Sequence, residues 1–192
     1  MSILITGFDP FDGANINPSW AAVELVPEEV CGQRVYKMQL PTIFGKAAEL
    51  LCAEIERVKP AVVMCCGVAN GRTGVTPELV AINYRQARIA DNIGQCFFGV
   101  PIAPGGDAAY MTRLPVNDMV EAIREAGIPA YLSYSAGAYV CNDVYYALLQ
   151  SEKAFGHRGL FVHVPGTEAV DAPKAAQALA ICLEKALQHN IG

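Results

Sequence analysis

The chain has 192 residues, 53% hydrophobic and 17% charged, with 14 Lys and Arg against 19 Asp and Glu for a formal net charge of -5. That length and a mean hydropathy of +0.26 suit one sizeable apolar core and exclude a disordered polar chain. The basic residues form no cluster, which argues against nucleic acid or an anionic membrane as partner, and no apolar run reaches the roughly 18 residues of a membrane span.

Residues 2–6 (SILIT) read as a short buried strand. Asn17 followed by Pro18 reads as a helix N-cap with proline at the first helical position, opening a helix through Val26. Residues 33–39 read as a strand. Residues 41–58 place Ile43, Ala47, Leu50, Leu51, Ile55 and Val58 at helical spacing and stop before Pro60. Residues 61–66 (AVVMCC) read as another buried strand and residues 79–84 as an extended stretch. A helix over 116–126 ends at Gly127 and Pro129. A strand at 130–134, a helix at 139–150, a strand at 160–164 and an Ala-rich helix over 169–188 complete the chain. This alternation predicts a single domain over residues 1–192 of α/β class, a three-layer α/β/α arrangement with a mostly parallel sheet. Ligands of such sheets sit beyond the carboxyl ends of the strands. Chemistry is therefore expected in residues 7–17, 67–78 and 135–139 and around His163. The opening MSILITGFDP has no basic region, so no signal peptide is expected and the cytoplasm is the default location.

The seven cysteines are odd in number, irregularly spaced and without a CxxC pair, which does not suggest a disulfide framework. Three widely placed histidines and no HExxH motif give a metal site no support. Cys141 lies in YLSYSAGAYVCNDVYYALL, where a strand passes through a small-residue turn into a helix. A helix start favours a thiolate through its dipole, and its free N–H groups can receive an oxyanion. Free cysteine is more often a small core hydrophobe; what singles out Cys141 is its place beyond a strand end. A thiol nucleophile needs a base. His163, in LFVHVPG, stands at the ligand end of a strand, whereas His157 lies in a polar connection and His189 follows the last helix. A carboxylate must orient the imidazole. Glu78, after the Gly-rich loop in GVANGRTGVTPELVAIN, is one choice; Asp9, Asp12, Asp91 and Asp143 remain open. That loop matches neither a P-loop nor GxGxxG, and GxSxG is absent. Phe8 and Phe11, in TGFDPFDG, either pack on the core or wall an apolar pocket.

Several segments together resemble the pyroglutamyl peptidase I family, cysteine omega-peptidases also called pyrrolidone-carboxylate peptidases. They are ITGFDPFDG with NPS at 17–19, GRT at 71–73, PELVAIN at 77–83, ARIADNIG at 87–94, GIPAYLSYSAGAYVCN at 127–142 and FVHVP at 161–165. The likeness runs nearly end to end. It implies hydrolysis of the bond after an N-terminal pyroglutamyl residue, with Cys141 as nucleophile, His163 as base and acid, and Glu78 as orienter. It further implies a pyroglutamyl pocket from Phe8, Phe11, Ile89, Tyr139 and Val140 and an oxyanion contribution from Arg88. Peptide substrates, no metal or cofactor, and a homotetramer are the remaining implications. Val68, Asn70 and Leu79 depart from the family's usual residues. Two other readings stay open: a lactam-binding protein on the same fold, and a phosphate- or nucleoside-handling α/β enzyme resting on the Gly-rich loop.

Overall fold

The computed structural model describes residues 2–189. In chain order the first half holds β1 (Ser2–Phe8), α1 (Pro18–Leu25), β2 (Glu29–Val30), β3 (Gln33–Leu40), α2 (Lys46–Val58), β4 (Val62–Val68) and β5 (Thr76–Glu78). Then follow β6 (Val80–Ile82), β7 (Arg85–Gln86), β8 (Phe98–Val100), β9 (Ala109–Met111), α3 (Val116–Glu125), α4 (Val140–Phe155), β10 (Arg158–Val164) and α5 (Ala172–Gln188).

The central strands β3, β1, β4 and β10 run parallel, with β2 antiparallel at one edge and β5 antiparallel at the other. Side chains alternate between the two faces, as the pleat requires. Ile3, Ile5, Val62 and Met64 face a core closed by α1, α3 and α5, while Leu4, Val63, Cys65 and Phe161 face one closed by α2 and α4. The three-layer α/β/α arrangement with a mostly parallel sheet is therefore present. Among the described residues, no helix is long and apolar enough to cross a membrane.

Several elements differ from the sequence expectation. The second helix begins at Lys46, because Gly45 sits at φ 72 and Ile43 N–H closes a turn on the Pro41 carbonyl. The last helix begins at Ala172, where Asp171 caps it by accepting from Lys174 N–H. Of residues 79–84 only Val80–Ile82 forms a strand, paired with β9 outside the main sheet. The fourth helix continues past Gln150 to Phe155 and ends on Gly156 at φ 72. Residues 130–134 form no regular strand; they touch β5 and its preceding residue through two isolated parallel bridges, Val75↔Ala130 and Glu78↔Ser133. Val75 N–H and Leu79 N–H donate to Pro129 and Ser133, but Pro77 between them has no N–H to give, so the ladder is interrupted.

Candidate active site

Cys141 is the second residue of α4, which no side chain caps. Its first turn is tied down from two sides. Asn142 accepts from Ile82 N–H at 3.0 Å and donates to the Ile82 carbonyl at 2.9 Å and the Tyr84 carbonyl at 3.1 Å. One turn on, the Tyr145 hydroxyl donates to the Glu78 carbonyl at 2.8 Å and its ring lies 5.6 Å from that of Phe161. The helix that carries the thiol is thus fastened to the strand that carries Glu78.

The thiol rests against bare backbone. A Cβ on Gly67 would lie 2.8 Å from Cys141 Sγ and 3.0 Å from Phe161 Cζ, both too close. Gly67 is the register partner of His163 in the β4–β10 pairing, so the missing side chain is what brings sulfur and imidazole to one spot. Gly67→Ala should displace the thiol. Shifts of about 1 Å at reacting atoms cost on the order of 10²-fold, so kcat/KM should fall by that order. The Tm, measured beside it, separates this from loss of fold; unchanged kcat/KM would contradict the placement.

His163 Nδ1 lies 2.7 Å from Glu78 Oε1. An ionised carboxylate only accepts, so Nδ1 carries the proton and Nε2 keeps its lone pair. Arg72 Nη1 donates to the same Glu78 oxygen at 2.7 Å. The other carboxylates are committed elsewhere. Asp9 accepts from Thr42 N–H and Asn92, Asp91 from the N–H groups of Phe44, Ile93 and Gln95, and Asp143 from Gly45 N–H and Arg85. Asp12 lines an outer cleft. His157 lies near the start of β10, with Nε2 3.2 Å from the Leu148 carbonyl, and the His189 carbonyl accepts from Arg158.

Burial pushes the Cys141 thiol up to about 12, the nearby Glu78 carboxylate adds to this, and Arg72 and the helix-start backbone oppose it. Burial likewise pulls His163 below its ordinary value, against the hydrogen bond and charge of Glu78. Burial alone would raise Glu78, yet His163, Ser133 and Arg72 together hold it below the usual carboxylate range. These directions favour a neutral thiol and a neutral imidazole beside an ionised Glu78, and burial at Cys141 opposes the thiolate that the helix start favours.

Residues 1–190 match the family model of pyroglutamyl peptidase. The chain belongs to the pyroglutamyl peptidase family. A pyrrolidone-carboxylate peptidase from Streptococcus pneumoniae is 46% identical over 186 residues, covering 95% of this chain and 86% of that protein. One from Yersinia pestis is 46% identical over 194 residues, covering 96% and 90%. Among solved structures, pyroglutamyl peptidase I of Bacillus amyloliquefaciens superposes with a TM-score of 0.91 at 38% identity, covering 98% of this chain and 97% of that one. A mutant pyrrolidone carboxyl peptidase of Pyrococcus furiosus does so with a TM-score of 0.92 at 34% identity, covering 98% and 99%.

The positions that the family resemblance singles out fall into two adjoining spaces. A pocket of about 150 Å³ is lined by Cys141 and His163 and walled by Phe8, Phe11, Tyr139 and Val140. Arg88 and Ile89 lie instead along an outer cleft of about 470 Å³ that shares Phe11, Val68 and Tyr139 with the pocket; Ile89 is 40% exposed. Of the three departures, Leu79 packs toward the core, Val68 lines the pocket and Asn70 lines the outer cleft. Leu79 leaves the Glu78–His163 contact in place. Sequence reasoning missed Gly67, Arg72 and Tyr145 as contributors. Arg72 stood in the GRT segment, but only the fold brings it onto Glu78.

Proposed function

We propose that the chain is a cysteine omega-peptidase that releases pyroglutamate from the N-terminus of peptides, with Cys141 as nucleophile, His163 as base and acid, and Glu78 as orienter. The observation that carries this reading is the single small pocket shared by Cys141 and His163, with His163 seated on an ionised Glu78.

The reaction starts from the neutral pair. As Cys141 Sγ bonds to the pyroglutamyl carbonyl carbon, His163 Nε2 takes the thiol proton. Glu78 stabilises the imidazolium that forms, and the carbonyl electrons move onto oxygen. That oxyanion meets the uncapped N–H groups at the start of α4. Arg88 lines the outer cleft, and its charge there is the oxyanion contribution that the family resemblance implies. Collapse of the intermediate breaks the C–N bond as His163 gives its proton to the leaving amine. Water, deprotonated by His163, then attacks the thioester, and collapse frees pyroglutamate and restores the thiol. The ring occupies the aromatic pocket and the rest of the peptide runs along the outer cleft. No step calls on a metal or cofactor. We extend the reading to residues 1–192 as one functional unit, acting in the cytoplasm as a homotetramer; the exposed apolar side chains Tyr84, Phe98 and Met111 support an assembly.

Release of fluorophore from pyroglutamyl-aminomethylcoumarin tests the reading, and binding of the substrate without release would sink it. Glu78→Gln should lose activity, yet less than His163→Ala, because an amide oxygen still accepts from Nδ1–H. The acid limb of kcat/KM should also move to lower pH, since Glu78 is the group that raises His163. Wild-type kcat/KM and limb in Glu78→Gln would assign the orienting role elsewhere.

A further inference from the structure

Glu78 is fully buried, and its histidine partner is neutral at rest. A buried carboxylate facing only a neutral imidazole would take up a proton rather than stay charged. It would then no longer be a pure acceptor for Nδ1–H, and the tautomer that leaves Nε2 free for the thiol would be lost. The counter-charge comes from the Gly-rich loop.

Arg72 Nη1 donates to Glu78 Oε1 at 2.7 Å, the same oxygen that meets His163, and also to Thr76 Oγ1. Its Nη2 donates to the Ser135 carbonyl at 3.1 Å, in the loop that leads into Tyr139 and Cys141. Thr76 Oγ1 in turn donates to the His163 carbonyl at 3.3 Å. One planar guanidinium therefore joins the orienting carboxylate, the edge strand and the nucleophile's loop.

We infer that Arg72 is a positioning residue for the hydrolysis proposed above: it keeps Glu78 ionised, thereby selects the His163 tautomer, and holds the loop before Cys141 in register with them. With Arg72 engaged by Glu78, the Gly-rich loop offers a phosphate no unpaired cationic side chain.

The other ionisable groups that act on the pair or on its thiol are Cys141 and Tyr145 from α4 and Cys65 from β4. Burial pushes all three up, Cys141 and Cys65 to about 12, so they stay neutral in the working range and Arg72 is the charge that counts. Removing it raises the affinity of the Glu78–His163 pair for a proton, whichever partner takes it.

In Arg72→Gln the acid limb of kcat/KM should move up by about one pH unit. kcat should drop roughly ten- to a hundredfold, the cost of one charge-assisted hydrogen bond, while KM changes little. Arg72→Lys keeps the charge but not the fork, so its limb should stay with wild type while kcat recovers in part. Arg72 is 24% exposed, so added guanidinium should reach the gap in Arg72→Ala and restore turnover where equal sodium chloride does not. Titration of the His163 side-chain signals by NMR reads the same upward shift without turnover. That shift stands or falls for Arg72 even if the wild type releases no fluorophore, an outcome that would remove the peptidase reading alone. Coincident His163 titrations in wild type and Arg72→Gln, or a Lys variant whose limb follows Gln, would overturn the inference.

Discussion

Cys141→Ala should lose on the order of 10⁴-fold or more in kcat/KM on pyroglutamyl-aminomethylcoumarin, as removal of a covalent nucleophile does in other hydrolases. The fold should survive, because alanine is smaller and α4 is held by the hydrogen bonds of Asn142 and Tyr145. Cys141→Ser keeps the shape, with a smaller atom, but offers a hydroxyl that is harder to deprotonate, and should also be nearly inactive. The pH dependence of alkylation sharpens the test. With the thiol pushed up to about 12 and the imidazole neutral, the thiolate fraction grows with each step of pH through the neutral range. Inactivation by iodoacetamide should therefore still be accelerating at pH 9. A preformed thiolate–imidazolium pair would give a plateau from acid to neutral pH. EDTA should leave turnover unchanged. Full activity of Cys141→Ala would refute the nucleophile assignment.

Prolyl and glutaminyl anilides should be cleaved at least roughly 10⁴-fold less well than the pyroglutamyl anilide, because sites built around a substrate's polar groups reject analogues that lack them by that order. Pyroglutamate is an uncharged five-membered lactam with one N–H and one carbonyl. The pocket holds about 150 Å³ and is mainly apolar and aromatic, so a protonated N-terminal amine would be stripped of water there without a counter-charge. Phe8 and Phe11 serve this pocket differently. Phe8 is 2% exposed, packs 6.4 Å from Phe161 and belongs to the core beneath α4. Phe8→Ala would cost about 3–5 kcal/mol of stability, so it cannot isolate a binding role. Phe11 is only part-buried, its ring tilted against that of Tyr139 at 6.2 Å, which makes Phe11→Ala the cleaner probe. It should reduce kcat/KM with little change in Tm. Equal rates on prolyl and pyroglutamyl anilides would contradict the pocket.

The layered fold was legible because the strands that build it are local signals: SILIT, AVVMCC and LFVHV are short, apolar and bounded by turns. The Asn17–Pro18 helix start was legible for the same reason; its cap and its proline are adjacent in sequence. The edge of the sheet was not. Residues 130–134 carry a strand-like pattern, but whether they pair regularly depends on a proline more than fifty positions away. The helix ahead of Lys46 was overextended because apolar spacing continues through Ile43, while the backbone turns at Gly45. Cys141 and His163 could be singled out from their places at strand and helix ends. The residue pattern alone left Glu78 among four aspartates and only the family resemblance picked it out; its 2.7 Å contact with His163 belongs to the fold. Gly67 left no signal of its own, and Arg72 stood in the GRT segment without anything in the sequence to join it to Glu78. A glycine required by a sulfur atom, and an arginine required by a buried carboxylate, are properties of pairs that only the fold creates.

The central claim is a covalent step at Cys141, and the mass of the enzyme quenched in acid during turnover tests it most directly. With pyroglutamyl-aminomethylcoumarin in excess, a fraction of the protein should gain the mass of one pyroglutamyl group, and the peptide map should place it on Cys141 as a thioester that hydroxylamine removes. Steady turnover by protein whose Cys141 is fully alkylated, with no adduct trapped, would contradict the account.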